Sequence, residues 1–185
     1  MHLSGRFFRA VLALALALTM SLSILPVASA EGDKTVTIGI TGTISTLNPL
    51  QMDATEVVKY ASSLVFLPLV ELNQDMKFVP QLAESITTED NQTFTIRLEK
   101  DATWSDGVPV TAGDVAFTFL CLMSPESFNA GLSMYAIEGT DDAGMVESGA
   151  TEVSGIKVVD DKTLTVTTKW QMALNTFCNI YGRYV

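Results

Sequence analysis

Histidine is almost missing from this 185-residue chain: His2 is the only one, and it lies in the apolar N-terminal stretch. Past residue 30 there is none. That excludes Ser-His-Asp and Cys-His catalytic sets and any metal site that needs imidazole. Cysteine is scarce as well, with Cys121 and Cys178 alone. In an exported chain these two are permitted to pair, or to stand apart as buried thiols, and the sequence leaves both open. Positive charge is the third shortage. Leaving out Arg6 and Arg9, 9 basic residues face 21 acidic ones, a formal charge of −12 from Glu31 onward. Such an excess argues against nucleic acid and anionic membrane surfaces as partners. Nor does any apolar run beyond residue 30 have the length to span a bilayer.

What the N-terminus does have is an export pattern. Arg6 and Arg9 precede an apolar run from Ala10 to Leu25, and Ala28-Ser29-Ala30 is a small-x-small cleavage site. The pattern predicts a signal peptide over residues 1–30, removed on export, and a mature chain over 31–185. No cysteine follows the apolar run, so a lipid-anchored form is not expected.

Thr35-Val36-Thr37-Ile38-Gly39-Ile40 alternates with period two and predicts a half-buried strand. A Gly/Thr/Ser loop over 41–46 follows, closed by the turn signal Asn48-Pro49. Asp53 and Glu56 fit a helix start, and Val57, Ala61, Leu64 and Val65 recur at helical spacing, predicting a helix over 54–66. Three hairpins are readable. Leu69–Leu72 and Lys77–Val79 flank Asn73–Met76. Ala83–Thr87 and Phe94–Leu98 flank Glu89–Gln92. Ile156–Val159 and Leu164–Thr167 flank Asp160–Lys162. Within the second, Asn91-Gln92-Thr93 fits a glycosylation sequon. Residues 124–154 form a long acidic connection, expected on the surface, with a short helix near 143–148. A last helix is predicted from Ala173, carrying Leu174, Phe177, Cys178 and Tyr181.

The most structured stretch runs from Trp104 to Phe119. Asp106-Gly107 is a turn dipeptide, Pro109 fixes φ, and Thr111 with Asp114 makes a capping-box pattern ahead of an apolar helix. Asp106 and Asp114 could pass for paired catalytic carboxylates, but a turn and a cap already account for both. Trp104 is expected as an anchor beside Phe117 and Phe119 rather than a ligand-stacking ring. Tyr60, Trp170 and Tyr181 are further aromatic candidates for a cleft. Asp141-Asp142 lacks the alternating oxygen spacing of a calcium loop.

Phe78-Val79-Pro80-Gln81-Leu82-Ala83-Glu84-Ser85, Phe94-Thr95-Ile96-Arg97-Leu98 and Trp104 to Val115, in this order, resemble the solute-binding proteins of the oligopeptide, dipeptide and nickel class (family 5), which serve ABC importers. Leu47-Asn48-Pro49 and the Gly155–Val166 hairpin are similar to that family too. The resemblance implies a mixed α/β (α+β) fold: a periplasmic-binding-protein type II lobe, N-terminal part only, with a β-hairpin-rich subdomain. Residues 31–185 then make the N-terminal part of lobe I, with the second lobe absent.

For function, the resemblance implies an exported, periplasmic or extracellular substrate-binding component of an ABC transporter, with peptide uptake as the expected role and no enzymatic activity. Its expected partners are a peptide or small-molecule ligand and ABC importer permease subunits; no metal, cofactor, nucleic acid or membrane insertion after signal cleavage is expected. By position, the loop after the first strand supplies the ligand-binding residues Thr43, Ile44, Ser45 and Thr46. The alternative from the residues alone is a secreted β-rich interaction or adhesion module without a small ligand.

Overall fold

The computed structural model describes residues 36–51, 55–126, 134 and 136–183. The chain divides into two units, 1–39 and 40–185. Of the first unit only 36–39 are described, with irregular backbone and exposed side chains. The predicted strand over 35–40 is therefore corrected: 36–40 form no ladder, and Val36 and Ile38 are 81% and 63% exposed. Alternation marks a segment suited to a sheet, but a strand exists only where another strand accepts its hydrogen bonds.

The second unit is built on antiparallel hairpins. β1 (Val70–Leu72) pairs with β2 (Phe78–Pro80). β3 (Ala83–Thr87), β4 (Thr93–Leu98), β5 (Ile156–Asp160) and β6 (Thr163–Thr167) make one sheet in the order β3-β4-β6-β5. All three predicted hairpins are present. Alternation sets the sheet's two faces. Phe94, Ile96 and Leu98 of β4 and Leu164 and Val166 of β6 are buried, with Phe94 opposite Val166 and Ile96 opposite Leu164. Thr93, Thr95, Thr163, Thr165 and Thr167 occupy the intervening positions, where their branched side chains suit a pleated surface.

Two helices join that apolar cluster. α2 (Ala112–Met123) contributes Val115, Phe119, Leu122 and Met123 and lies over β5 and β6. α3 (Leu174–Tyr181) lies against β3, and its Phe177 ring stacks on Phe94 at 3.9 Å between centroids. α1 (Glu56–Ser63) is shorter than predicted, and Asp53 and Ala54 lie outside the described residues. It buries Val58 and Ser62, whereas Leu64 and Val65, expected on its packed face, are 75% and 63% exposed.

The acidic connection differs most from expectation. Residues 143–148 are not helical: the Asp141 carboxylate accepts from the backbone N–H groups of Ala143 and Met145, and Gly144 takes a φ of +81°. An aspartate that binds the backbone just ahead of it makes a turn in place of a helix. The connection is also no mere solvated strip. Met134, Ala136 and Ile137 are fully buried, and Glu138 N donates to Thr167 O. Gly155 is held between Glu138 and Thr167, where an added Cβ would come 2.5 Å from Glu138 O.

Candidate functional site

Residues 41–46 are exposed or half-buried and belong to no strand or helix, so Thr43, Ile44, Ser45 and Thr46 lie together on one irregular segment. Its ends are fixed by local chemistry. Gly42 takes a φ of +150° where an added Cβ would meet Val57 of α1 at 3.0 Å. At the other end Thr46 Oγ1 accepts from Asn48 N, Asn48 Oδ1 accepts from Leu50 N, and Pro49–Gln51 close a single 3-10 turn. The predicted Asn48-Pro49 turn is thus formed, by an Asx geometry that proline at the next position favours. No side chain in Thr43–Thr46 is an acid or a base, so what this segment offers a ligand is hydroxyl and backbone groups.

The corner from Trp104 to Asp114 is held together by its own hydrogen bonds. Trp104 N donates to Val108 O, Gly107 takes a φ of +87°, and the Asp106 carboxylate accepts from Val108 N at 2.9 Å. Thr111 N donates to the Asp114 carboxylate at 2.8 Å while Thr111 Oγ1 accepts from Asp114 N, closing the predicted capping box. The β5–β6 turn ties this corner down: Ala112 N donates to Asp161 O, and Lys162 Nζ donates to Val110 O at 2.7 Å. Trp104 does anchor the turn through its backbone, but its ring is 39% exposed and Phe117 is 66% exposed, so only Phe119 of the expected trio is core.

The other aromatic candidates are not brought together. Tyr60 and Trp170 are exposed, while Tyr181 is fully buried against Phe177. Cys121 and Cys178 are free thiols, and burial pushes the Cys178 thiol up to about 11, which keeps it protonated and unreactive at neutral pH. The lowered carboxylates are all structural. Backbone N–H groups of Thr93 and Gln92 hold Asp90 down in the β3–β4 turn, the Ser124 and Ser148 hydroxyls hold Glu126, and Lys162 N holds Asp160. Among the described residues no group of acidic and cysteine side chains is placed to hold a metal ion, and no helix is long and apolar enough to cross a membrane.

Sequence reasoning missed the part played by 168–172. Thr168 is fully buried, its N–H donates to Gln92 O, its hydroxyl lies within donor reach of Trp170 O and Gln92 O, and Met172 N donates to Asn91 O. These bonds clamp the Asn91 turn to the segment entering α3. A threonine followed by lysine and tryptophan gives no local signal for such a clamp.

Residues 77–184 match the bacterial extracellular solute-binding proteins, family 5 Middle. Among curated proteins the chain is 36% identical over 91 residues to the periplasmic oligopeptide-binding protein OppA of Escherichia coli K12, covering 48% of this chain and 17% of that one. It is 33% identical over 103 residues to the dipeptide-binding protein DppE of Bacillus subtilis 168, covering 54% and 18%. The chain thus spans less than a fifth of these relatives' length. Among solved structures, Listeria monocytogenes OppA bound to peptide is matched with a TM-score of 0.62 at 28% identity, over 75% of this chain and 28% of that one. The Escherichia coli murein tripeptide binding protein MppA is matched with a TM-score of 0.64 at 23% identity, over 74% and 27%, a likeness of fold. The mixed α/β arrangement is that of part of a type II periplasmic binding protein, and these relatives are binding proteins by name rather than enzymes. With more than half of its length matched, the chain belongs to family 5 of the bacterial extracellular solute-binding proteins.

Proposed function

We propose that this chain is part of an exported binding protein that captures peptides outside the cytoplasm and delivers them to an ABC importer. The observation that carries the reading is the family match over 77–184, together with relatives named for oligopeptide and dipeptide binding. In this reading residues 1–30 are a signal peptide and 31–185 supply the N-terminal part of lobe I. The partners are a peptide ligand and the importer's permease subunits, and the mature chain lies in the periplasm or outside the cell.

The work is binding and release, without covalent chemistry. A ligand stabilises the closed form by its differential affinity for that form over the open one. Thr43, Ile44, Ser45 and Thr46 contribute backbone to the peptide main chain, a mode of strand addition that reads little of the ligand's side chains. Their exposed position outside any strand or helix supports that role.

Hydrogen-exchange mass spectrometry tests the loop, using the complete binding protein of which this chain is part, recovered from an exporting host, and an excess of tri- to pentapeptides of alanine and lysine. Slowed exchange over 43–46, with β4 and β6 unchanged, is the expected result. Equal exchange at 43–46 while the peptide is bound would remove the loop from the ligand contact. No binding of any peptide by the complete protein, with both lobes, would remove the peptide reading itself. N-terminal sequencing of the same sample is expected to start at Glu31.

A further inference from the structure

One motif in the sequence, Asn91-Gln92-Thr93, has no part in peptide capture. Asn91 is the only asparagine of the chain with serine or threonine two positions on. Glu89 stands two positions before it, which makes the run Glu89-Asp90-Asn91-Gln92-Thr93. Bacterial oligosaccharyltransferases read this longer pattern, with an acidic residue two places ahead of the asparagine and no proline on either side of it.

The structure sets the motif at the tip of the β3–β4 hairpin. Glu89, Asp90 and Asn91 are exposed. Asn91 takes a φ of +58°, a left-handed backbone that asparagine tolerates better than most residues. Its backbone is committed to the fold: the N–H donates to Thr88 Oγ1 at 2.9 Å, and the carbonyl accepts from Met172 N at 2.7 Å. Its side-chain amide makes no hydrogen bond among the described residues. That nitrogen can therefore carry a bulky, hydrophilic group with no bond of the turn lost.

The folded turn is fastened. Asp90 accepts from Gln92 N and Thr93 N, and Thr168 and Gln171 bind the turn from 76 and 81 residues further on. A chain exported behind an N-terminal signal emerges N-terminus first, so Asn91 reaches the outer face of the membrane before this clamp exists. A transferase meets the motif there as open chain.

We propose that Asn91 is an N-glycosylation site, modified during export with an oligosaccharide carried on a polyprenyl pyrophosphate. Asn91 Nδ2 forms a bond to the anomeric carbon of the first sugar. The bond from that carbon to the pyrophosphate oxygen breaks, and its electron pair leaves with the polyprenyl pyrophosphate. The amide gives up one proton to a base of the membrane transferase, and nothing is oxidised or reduced. The Thr93 hydroxyl and the Glu89 carboxylate are the groups the transferase reads. The site rests on the export reading and is independent of which ligand the protein binds.

The test expresses the complete binding protein of which this chain is part in an exporting host with a glycan-assembly pathway and its oligosaccharyltransferase, and in the same host without the transferase. A reporter glycoprotein exported alongside shows that the pathway runs. Intact-mass spectrometry is expected to find a species heavier by one glycan only with the transferase, and peptide mapping to place it on Asn91. Asn91→Asp, which suits the same left-handed backbone, and Thr93→Val, which keeps the branched shape in β4, are each expected to abolish that species with an unchanged circular dichroism spectrum. Glu89→Gln is expected to lower its fraction severalfold. Protein that starts at Glu31 and stays unmodified beside a modified reporter would overturn the proposal. So would a glycan mapped to another residue, or one that survives Thr93→Val. Protein that keeps residues 1–30 would overturn the export reading and the site with it, while loss of peptide binding alone would touch neither.

Discussion

α1 and α2 begin on the same residue types, yet only α2 closes a capping box, and they bury very different amounts of apolar surface. Each follows a threonine in extended backbone, Thr55 or Thr111, and each has a carboxylate in its first turn, Glu56 or Asp114. α2 buries Ala112, Val115, Phe119, Leu122 and Met123, whereas α1 buries Val58 and Ser62 and leaves Tyr60 at its surface. The difference comes from far along the chain. The β5–β6 turn delivers Asp161 O to the first N–H of α2 and Lys162 to the carbonyl two residues earlier. The bonds described for α1 are local: Lys59 N to Thr55 O, Ser63 Oγ to Tyr60 O, and an exposed Lys59–Glu56 pair. A helical pattern therefore specifies a helix, but how much that helix stabilises the fold depends on what the rest of the chain brings to it.

The contrast is tested hardest where the sheet meets its helices. Phe177→Ala removes a fully buried ring stacked on Phe94 and packed on Tyr181, leaving a cavity between α3 and the sheet. A loss of about 3–5 kcal/mol is expected, read as a lowered denaturation midpoint with an unchanged slope. Gly155→Ala comes next. An added methyl at this position meets Glu138 O and Thr167 O, both backbone atoms that hold the connection to β6, so it must push the two apart. A cost of about 2 kcal/mol is expected, with faster amide exchange at Glu138 as the local sign. Should either change leave stability untouched, the sheet-centred core is not what holds this unit together.

How much of this was legible in the sequence follows the range of each interaction. The three hairpins were readable because alternation and turn residues lie within a dozen positions of each other. Asp90 illustrates this: its carboxylate accepts from Gln92 N and Thr93 N, so the turn is made by its own neighbours. The capping box was readable for the same reason. The loop carrying Thr43–Thr46 could be placed, since Gly42 and Asn48-Pro49 bound it, but its relation to a ligand could not be read from residue types. The segment over 36–40 shows the limit in the other direction, since a strand-like pattern cannot name its partner. The burial of Ile137 and the clamp at Thr168 were hidden because their partners, Thr168 for the first and Gln92 for the second, are remote in sequence. Phe117 and Phe119 are two positions apart, and only the placement of α2 over β5 and β6 decides that Phe119 goes in and Phe117 stays out.

The cap of α2 offers a milder test than its core. Thr111→Ala removes the hydroxyl that accepts from Asp114 N, while the Asp114 carboxylate keeps its bond from the backbone of residue 111. Half of the box survives, and Lys162 still holds the Val110 carbonyl. The expected loss is about 1 kcal/mol, in the middle of the range for N-cap threonines. Thr111→Ser, which keeps the acceptor, is expected to recover most of it in the same denaturant titration. A much larger loss would mean that Thr111 is needed for packing rather than for the backbone bond.

The smallest effect belongs to α1, where a near-zero result is the informative one. Leu64 follows the helix as its C-cap residue, donates its N–H to Ala61 O, and is 75% exposed. Leu64→Gln keeps the backbone bond and swaps an apolar side chain for a polar one of similar length. Little apolar area leaves water on folding at this position, so little transfer free energy is at stake. A change within about 0.5 kcal/mol is expected, beside the several kcal/mol at Phe177. If Leu64→Gln instead cost as much as Gly155→Ala, the side chain would have to be buried in solution, and the difference between α1 and α2 would disappear. If it raised solubility with no loss of stability, the exposed patch of Leu64 and Val65 would be confirmed as surface that folding of this unit does not use.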